Sequence, residues 1–175
     1  VAALVESKCL LPKSTIARVE CKVCIVGGGI TGISVARDAA SCGFGSVVIE
    51  RGSRIGGVWY INNYPGLRLH GPGGSYRCAS LPPRWQLEGA GKTDISYRPT
   101  QAEILRYIDE MAAHKLIEVR LRTRYISCSK AEGCLKLVQT DNSTICCNNV
   151  VLAIGASETT TGTPHMPISP DKVIN

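Results

Sequence analysis

The chain has 175 residues, 44% of them hydrophobic and 19% charged, with a formal net charge of +6. That length suits one well-buried domain better than two, and the composition excludes a disordered or fibrous chain. No apolar run is long enough to span a bilayer and no secretory leader is legible, so a cytoplasmic protein is expected.

Residues 1–20 read as an N-terminal extension, in which Glu6, Lys8, Lys13 and Arg18 interrupt every apolar stretch. The start at Val1 rather than Met suggests a processed or cropped chain. Residues 21–175 read as a single domain. Cys21 to Val26 is a short apolar run expected to form a buried strand. Gly27-Gly-Gly-Ile-Thr-Gly32 follows, and Ile30, Ile33, Val35, Ala36, Ala39 and Ala40 continue as a helix stopped at Gly43. Ser46 to Glu50 predicts a second strand that ends in an acid, completing a β-α-β unit of about 30 residues.

From Arg51 to Pro99 the Gly-Gly, Pro-Gly and Pro-Pro pairs predict loop, and so long a loop in a compact domain is usually functional. Thr100 to His114 predicts a helix with Thr100 as N-cap and Glu103 completing a capping box. Its apolar face comprises Ile104, Leu105, Ile108, Met111 and Ala112. Short strands are expected at Glu118 to Arg122, Tyr125 to Ser129, Cys134 to Thr140 and Thr144 to Cys147, with a turn at Asp141-Asn142-Ser143. A final buried strand is expected at Asn149 to Ile154.

The basic excess is partly local. Lys115 to Lys136 holds six basic residues, and Arg120, Arg122 and Arg124 share one face if that stretch is extended. No aromatic residues interleave with them as a nucleic-acid platform requires, so a solvated face is expected and no nucleic-acid partner. Nine cysteines, an odd count, argue for a reducing compartment rather than a disulfide framework. Cys21 and Cys24 have metal-pair spacing, but residues three apart on a strand point to opposite faces. No second pair completes a ligand set, so core thiols and no metal site are expected.

The glycines carry the chemistry. A dinucleotide's pyrophosphate must sit against bare backbone. Gly27 permits the tight turn, Gly29 the approach of phosphate, and Gly32 the close packing of helix on sheet. Ile30 and Thr31 belong to the same phosphate-facing turn, where the helix N-terminus offers unpaired amides and a positive dipole end. Glu50, 18 residues beyond Gly32, is placed to accept a ribose 2′-hydroxyl and to repel a 2′-phosphate, which favours FAD or NAD over NADP at this site.

Glu50-Arg51-Gly-Ser-Arg-Ile-Gly56-Gly57-Val58-Trp59, followed by Asn63-Tyr64-Pro65-Gly66-Leu-Arg68, resembles the flavin-containing and Baeyer–Villiger-type monooxygenase families. Val150 to Gly155 resembles their second FAD motif, with Ile154 in place of the usual Thr. The likeness covers about Lys22 to Pro167. It implies an α/β fold: a Rossmann-like three-layer FAD/NAD(P)-binding domain with a parallel sheet and a three-stranded β-meander, incomplete at the C-terminus. It also implies cofactor contacts from Arg51, Gly57, Val58, Trp59, Tyr64, Ala153 and Gly155. In the complete enzyme, NADPH reduces the FAD, and a flavin C4a-(hydro)peroxide oxygenates a small organic substrate.

No second Gly-x-Gly-x-x-Gly and no Phe-x-Gly-x-x-x-His occurs, so the NADPH-binding domain is expected to be absent and the chain alone inactive. No catalytic residue is assigned; His70, in the loop after Arg68, is the nearest histidine to the presumed flavin. Two readings stay open beside this one, a complete non-catalytic FAD-binding remnant and an NAD-binding Rossmann oxidoreductase.

Overall fold

The computed structural model describes residues 18–87, 96–131, 134–139 and 144–155. Most of the N-terminal extension, the turn at residues 141–143 and His165 lie outside them. The first strand, β1 (Arg18–Val26), begins three residues inside the expected extension. Helix α1 (Ile30–Ser41) follows, with Ile33, Ala36 and Ala40 buried against the sheet. Its end is a left-handed glycine cap: Gly43 has φ +82°, its amide donates to Ala40 O at 3.0 Å, and that of Phe44 donates to Ala39 O at 2.9 Å.

Strand β2 (Ser46–Ile49) is buried throughout. Among its described residues the long loop holds only short elements: α2 (Val58–Ile61), a 3-10 turn at Gly73–Ser75 and α3 (Arg84–Leu87). Helix α4 (Gln101–Ala112) carries the expected capping box, with Thr100 and Glu103 satisfying each other's backbone amides. Its buried face is Ile104, Tyr107, Ile108 and Met111. Tyr107 belongs there although its hydroxyl is polar, because that oxygen accepts the Cys78 amide at 2.7 Å and donates to Leu81 O at 2.5 Å. Leu105 and Ala112, expected on the same face, are only half-buried.

Strands β3 (Ile117–Arg120), β4 (Tyr125–Ala131), β5 (Cys134–Gln139) and β6 (Thr144–Leu152) complete a six-stranded sheet of order β3-β2-β1-β6-β5-β4 among the described residues. β3, β2, β1 and β6 run parallel, and β4, β5 and β6 form an antiparallel meander. The two patterns share β6. The last four residues of β1 pair with both β2 and β6, whereas Arg18 to Cys21 pair with β6 alone.

One sheet face packs Ile25 and Val48 against Ile33 and Ala36 of α1 and against Ile104, Ile108 and Met111 of α4. The other gathers Cys24, Val26, Val47 and Ile49 with Leu137, Ile145 and Cys147, and Tyr125, Cys128 and Leu135 pack against that group. The meander thus folds back over the second face, giving helices, parallel sheet and meander as three layers.

Four expectations change. The segments Thr144 to Cys147 and Asn149 to Ile154 are one strand, since β6 serves the meander with its first half and the parallel sheet along its whole length. Its end is not buried: Leu152 is 42% and Ile154 48% exposed, beyond the cluster that the meander covers. Arg120, Arg122 and Arg124 do not share a strand face, because β3 stops at Arg120 and Arg122 turns the chain at φ +53°. Cys24 lies in the meander-side cluster and Cys21, half-buried, packs against the same cluster instead of facing away from it. No cluster able to hold a metal ion occurs among the described residues.

Candidate dinucleotide and flavin site

The turn between β1 and α1 is built on main-chain contact. Gly27 has φ +109°, and a Cβ there would run into the carbonyl of Ala153, whose amide donates to Val26 O at 2.8 Å. A Cβ on Gly32 would strike the Gly27 carbonyl. Both glycines are therefore required by close packing of the turn itself. Gly29 differs: a Cβ there would meet only the Cα of Gly57, at 3.8 Å, so its outer side stands open. As N-cap of α1 it supplies no side-chain bond, and no acid lies in the first turn. α4, also 12 residues long, has a capping box, so of these two long helices only α1 leaves its first amides without a side-chain cap. Ile30 is half-buried and Thr31 exposed at this open end.

Glu50 leaves β2 beside the turn. One carboxylate oxygen accepts the Gly28 amide at 2.7 Å and the other the Gly52 amide at 2.6 Å. A carboxylate accommodates about four such bonds, so capacity for a sugar hydroxyl remains. Arg51 next to it is exposed.

Gly56 and Gly57, at φ +130° and +55°, seat the following loop against the turn. The Gly56 amide donates to Gly28 O at 2.9 Å, and a Cβ on Gly57 would come within 3.0 Å of Gly29 Cα. Val58 and Trp59 lead from there into a cleft of about 270 Å³ lined also by Tyr64, Arg68 and His70. The structure therefore brings Gly27, Gly29, Glu50, Gly57 and Ala153 into one neighbourhood and Val58, Trp59, Tyr64 and His70 around an adjoining cleft. Gly155 has φ +81° with nothing packed where its side chain would be.

Two residues with no sequence signal belong here. The Trp59 indole N–H donates to the Tyr76 hydroxyl at 2.6 Å, with the rings edge-on at 6.0 Å. Burial pushes the Tyr76 phenol up, against the lowering effect of that donated bond. Gln101 Nε2 donates to Trp59 O and to Asn62 O, each at 2.7 Å. The periodicity of α4 marks Gln101 only as a helix start, and Tyr76 sits in an aperiodic loop.

Residues 21–173 match the family described as pyridine nucleotide-disulphide oxidoreductase. The chain belongs to that family. An uncharacterized monooxygenase of Sinorhizobium fredii is 27% identical over 146 residues, 79% of this chain and 21% of that protein. An FAD-binding monooxygenase of Epichloe uncinata is 34% identical over 91 residues, 51% of this chain and 16% of its own length. The structure of an oxidized steroid monooxygenase bound to NADP superposes with a TM-score of 0.63 at 29% identity, covering 78% of this chain and 26% of that one. This member of the oxidoreductase family thus spans roughly a sixth to a quarter of the length of those relatives. Among its described residues no helix is long and apolar enough to cross a membrane.

Proposed function

We propose that the chain is the FAD-binding portion of a flavin-dependent, NADPH-using monooxygenase that acts on a small organic substrate. The observation that carries the reading is the open end of α1. There Gly29 and Gly57 stand back to back, the first-turn amides lack a side-chain cap, and Glu50 is held alongside. Those residues fit a dinucleotide: side chains are excluded where main chain needs contact, and open space remains where a pyrophosphate needs it.

The amides of Gly29, Ile30 and Thr31 would hold the pyrophosphate, where the α1 dipole favours negative charge. Glu50 would accept hydrogen bonds from the ribose hydroxyls, and its charge disfavours a 2′-phosphate. Gly57, Val58, Trp59 and Tyr64 would hold the flavin end of the cofactor, and Ala153 and Gly155 would offer it main chain. Bound FAD supplies the redox and oxygen chemistry, while these residues orient it and thin the water around it. Free thiols at the described cysteines support a reducing, cytoplasmic setting.

The test is to purify the full chain with FAD and, separately, with NAD, and to record bound flavin absorbance and nicotinamide content. Stoichiometric flavin supports the reading. Retention of NAD without FAD overturns it in favour of a plain NAD-binding oxidoreductase.

A further inference from the structure

The four residues of α2 place Trp59 on the lining of the cleft, yet so short a helix does not by itself account for that position. Helices this short do not hold themselves in water. No residue of α2 is buried, and Val58, Tyr60 and Ile61 are 47%, 41% and 67% exposed. Within α2 only Trp59, half-buried, packs against the main core cluster. Beside that packing stand two hydrogen-bonded attachments at Trp59, both from residues downstream in sequence. The Tyr76 hydroxyl, 17 residues downstream, takes the indole N–H and sets its ring edge-on to the indole. The Gln101 carboxamide, 42 residues downstream, spends both its N–H groups on the carbonyls of Trp59 and Asn62, which a helix end leaves orphaned.

Gln101 is itself fixed. It is the first residue of the capped helix α4, and its main-chain amide donates to Leu67 O at 3.1 Å. The Leu67 to Leu69 stretch lines the same cleft, and Arg68 pairs with Thr100 in a β-bridge. Tyr76 is packed against the main core cluster. The two anchors thus tie Trp59 to rigid parts of the domain, one through its side chain and one through its backbone.

We infer that Tyr76 and Gln101 are positioning residues that hold Trp59 as a pre-formed wall of the cleft before the flavin arrives. The inference rests on the proposed FAD reading and deepens it. An indole already locked in place loses no rotamer freedom when the cofactor binds, so removing either anchor moves that cost onto binding. Neither residue touches the flavin in this scheme; each acts through Trp59.

The experiment uses the full chain, with Tyr76→Phe, which keeps the ring and loses the acceptor, and Gln101→Met, which keeps the length and loses both donors. The chain has two tryptophans, so an indole N–H spectrum holds Trp59 and one internal reference, Trp85, whose N–H donates to Gly73 O in the core. Without cofactor, Tyr76→Phe is expected to shift the Trp59 indole resonance and speed its exchange with water, while the Trp85 resonance stays put. Gln101→Met is expected to broaden the Trp59 resonance. Both variants are expected to bind FAD about five-fold more weakly in a flavin fluorescence titration. If one variant loses the Trp85 signal, the other decides. An unmoved Trp59 resonance, or a moved one with wild-type FAD affinity, overturns the positioning role alone. A wild-type chain that binds no FAD overturns the flavin reading itself.

Discussion

The carboxylate of Glu50 holds the amide of Gly28 at 2.7 Å, across 22 residues of sequence. With its second oxygen on Gly52, it braces the glycine turn from outside before any sugar is present. Glu50 therefore serves both the shape of the turn and the recognition of a ribose.

Replacing Glu50 tests both roles at once. Glu50→Ala is expected to weaken FAD binding by about 1–3 kcal/mol, the worth of hydrogen bonds to a charged acceptor, and to lower the melting temperature of the cofactor-free chain. Titration with FAD and a thermal melt check the two separately. Unchanged affinity removes Glu50 from the ribose site, and an unchanged melt removes it as a brace.

Glycine substitutions separate packing from mere flexibility. Gly32→Ala drives a Cβ into the Gly27 carbonyl and is expected to destabilise the chain by about 1–3 kcal/mol. Gly74→Ala, with nothing within 4 Å of the added carbon, is expected to stay within about 0.5 kcal/mol of wild type. Chemical denaturation of the two variants side by side reads the difference; equal losses contradict the packing argument at the turn.

Tyr107 predicts an alkaline limit. Burial pushes its phenol up to about 12, above the ordinary value of 10.0. The folded state therefore favours the protonated phenol: its advantage is complete below pH 10 and is lost as pH rises through about 12. Tyr97, raised to about 12 by burial and by its hydrogen bond to Glu103, acts in the same window. Tyr107→Phe is expected to flatten the fall in stability between pH 10 and 12. At neutral pH it forfeits the Cys78 and Leu81 bonds, at about 1–3 kcal/mol. Denaturation midpoints across that range decide.

Asp38 predicts the acid limit. Burial alone would raise its carboxyl, but hydrogen bonds from Ser80 and Cys78 outweigh burial and hold it below the ordinary 3.8. Because the folded value is depressed, this stabilisation is present above pH 3.8 and drains away as pH falls through the folded value. Asp38→Asn is expected to be less stable than wild type at neutral pH and to lose less on acidification. An acid limb as steep as that of wild type would count against Asp38 as its source.

Much of this protein was legible in local sequence because the deciding forces are local. Glycine freedom and a bare helix start mark the β-α-β turn, the Thr100 and Glu103 side chains reach only their own first turn, and Gly43 ends α1 through its own dihedral. The relation of Glu50 to the turn was also readable, since strand, helix and strand lengths fix where β2 must end. What pairs with what at a distance was not. That β6 joins the meander to the parallel sheet is a matter of ladder register, and that residues of the meander pack with Cys24 and Val47, with Cys21 against the same cluster, is a matter of tertiary packing. Gly57 against Gly29, and Trp59 strung between Tyr76 and Gln101, come from an aperiodic loop whose side chains acquire partners only when α4 docks beside it. No spacing in the chain encodes those contacts, so tertiary packing alone decided them.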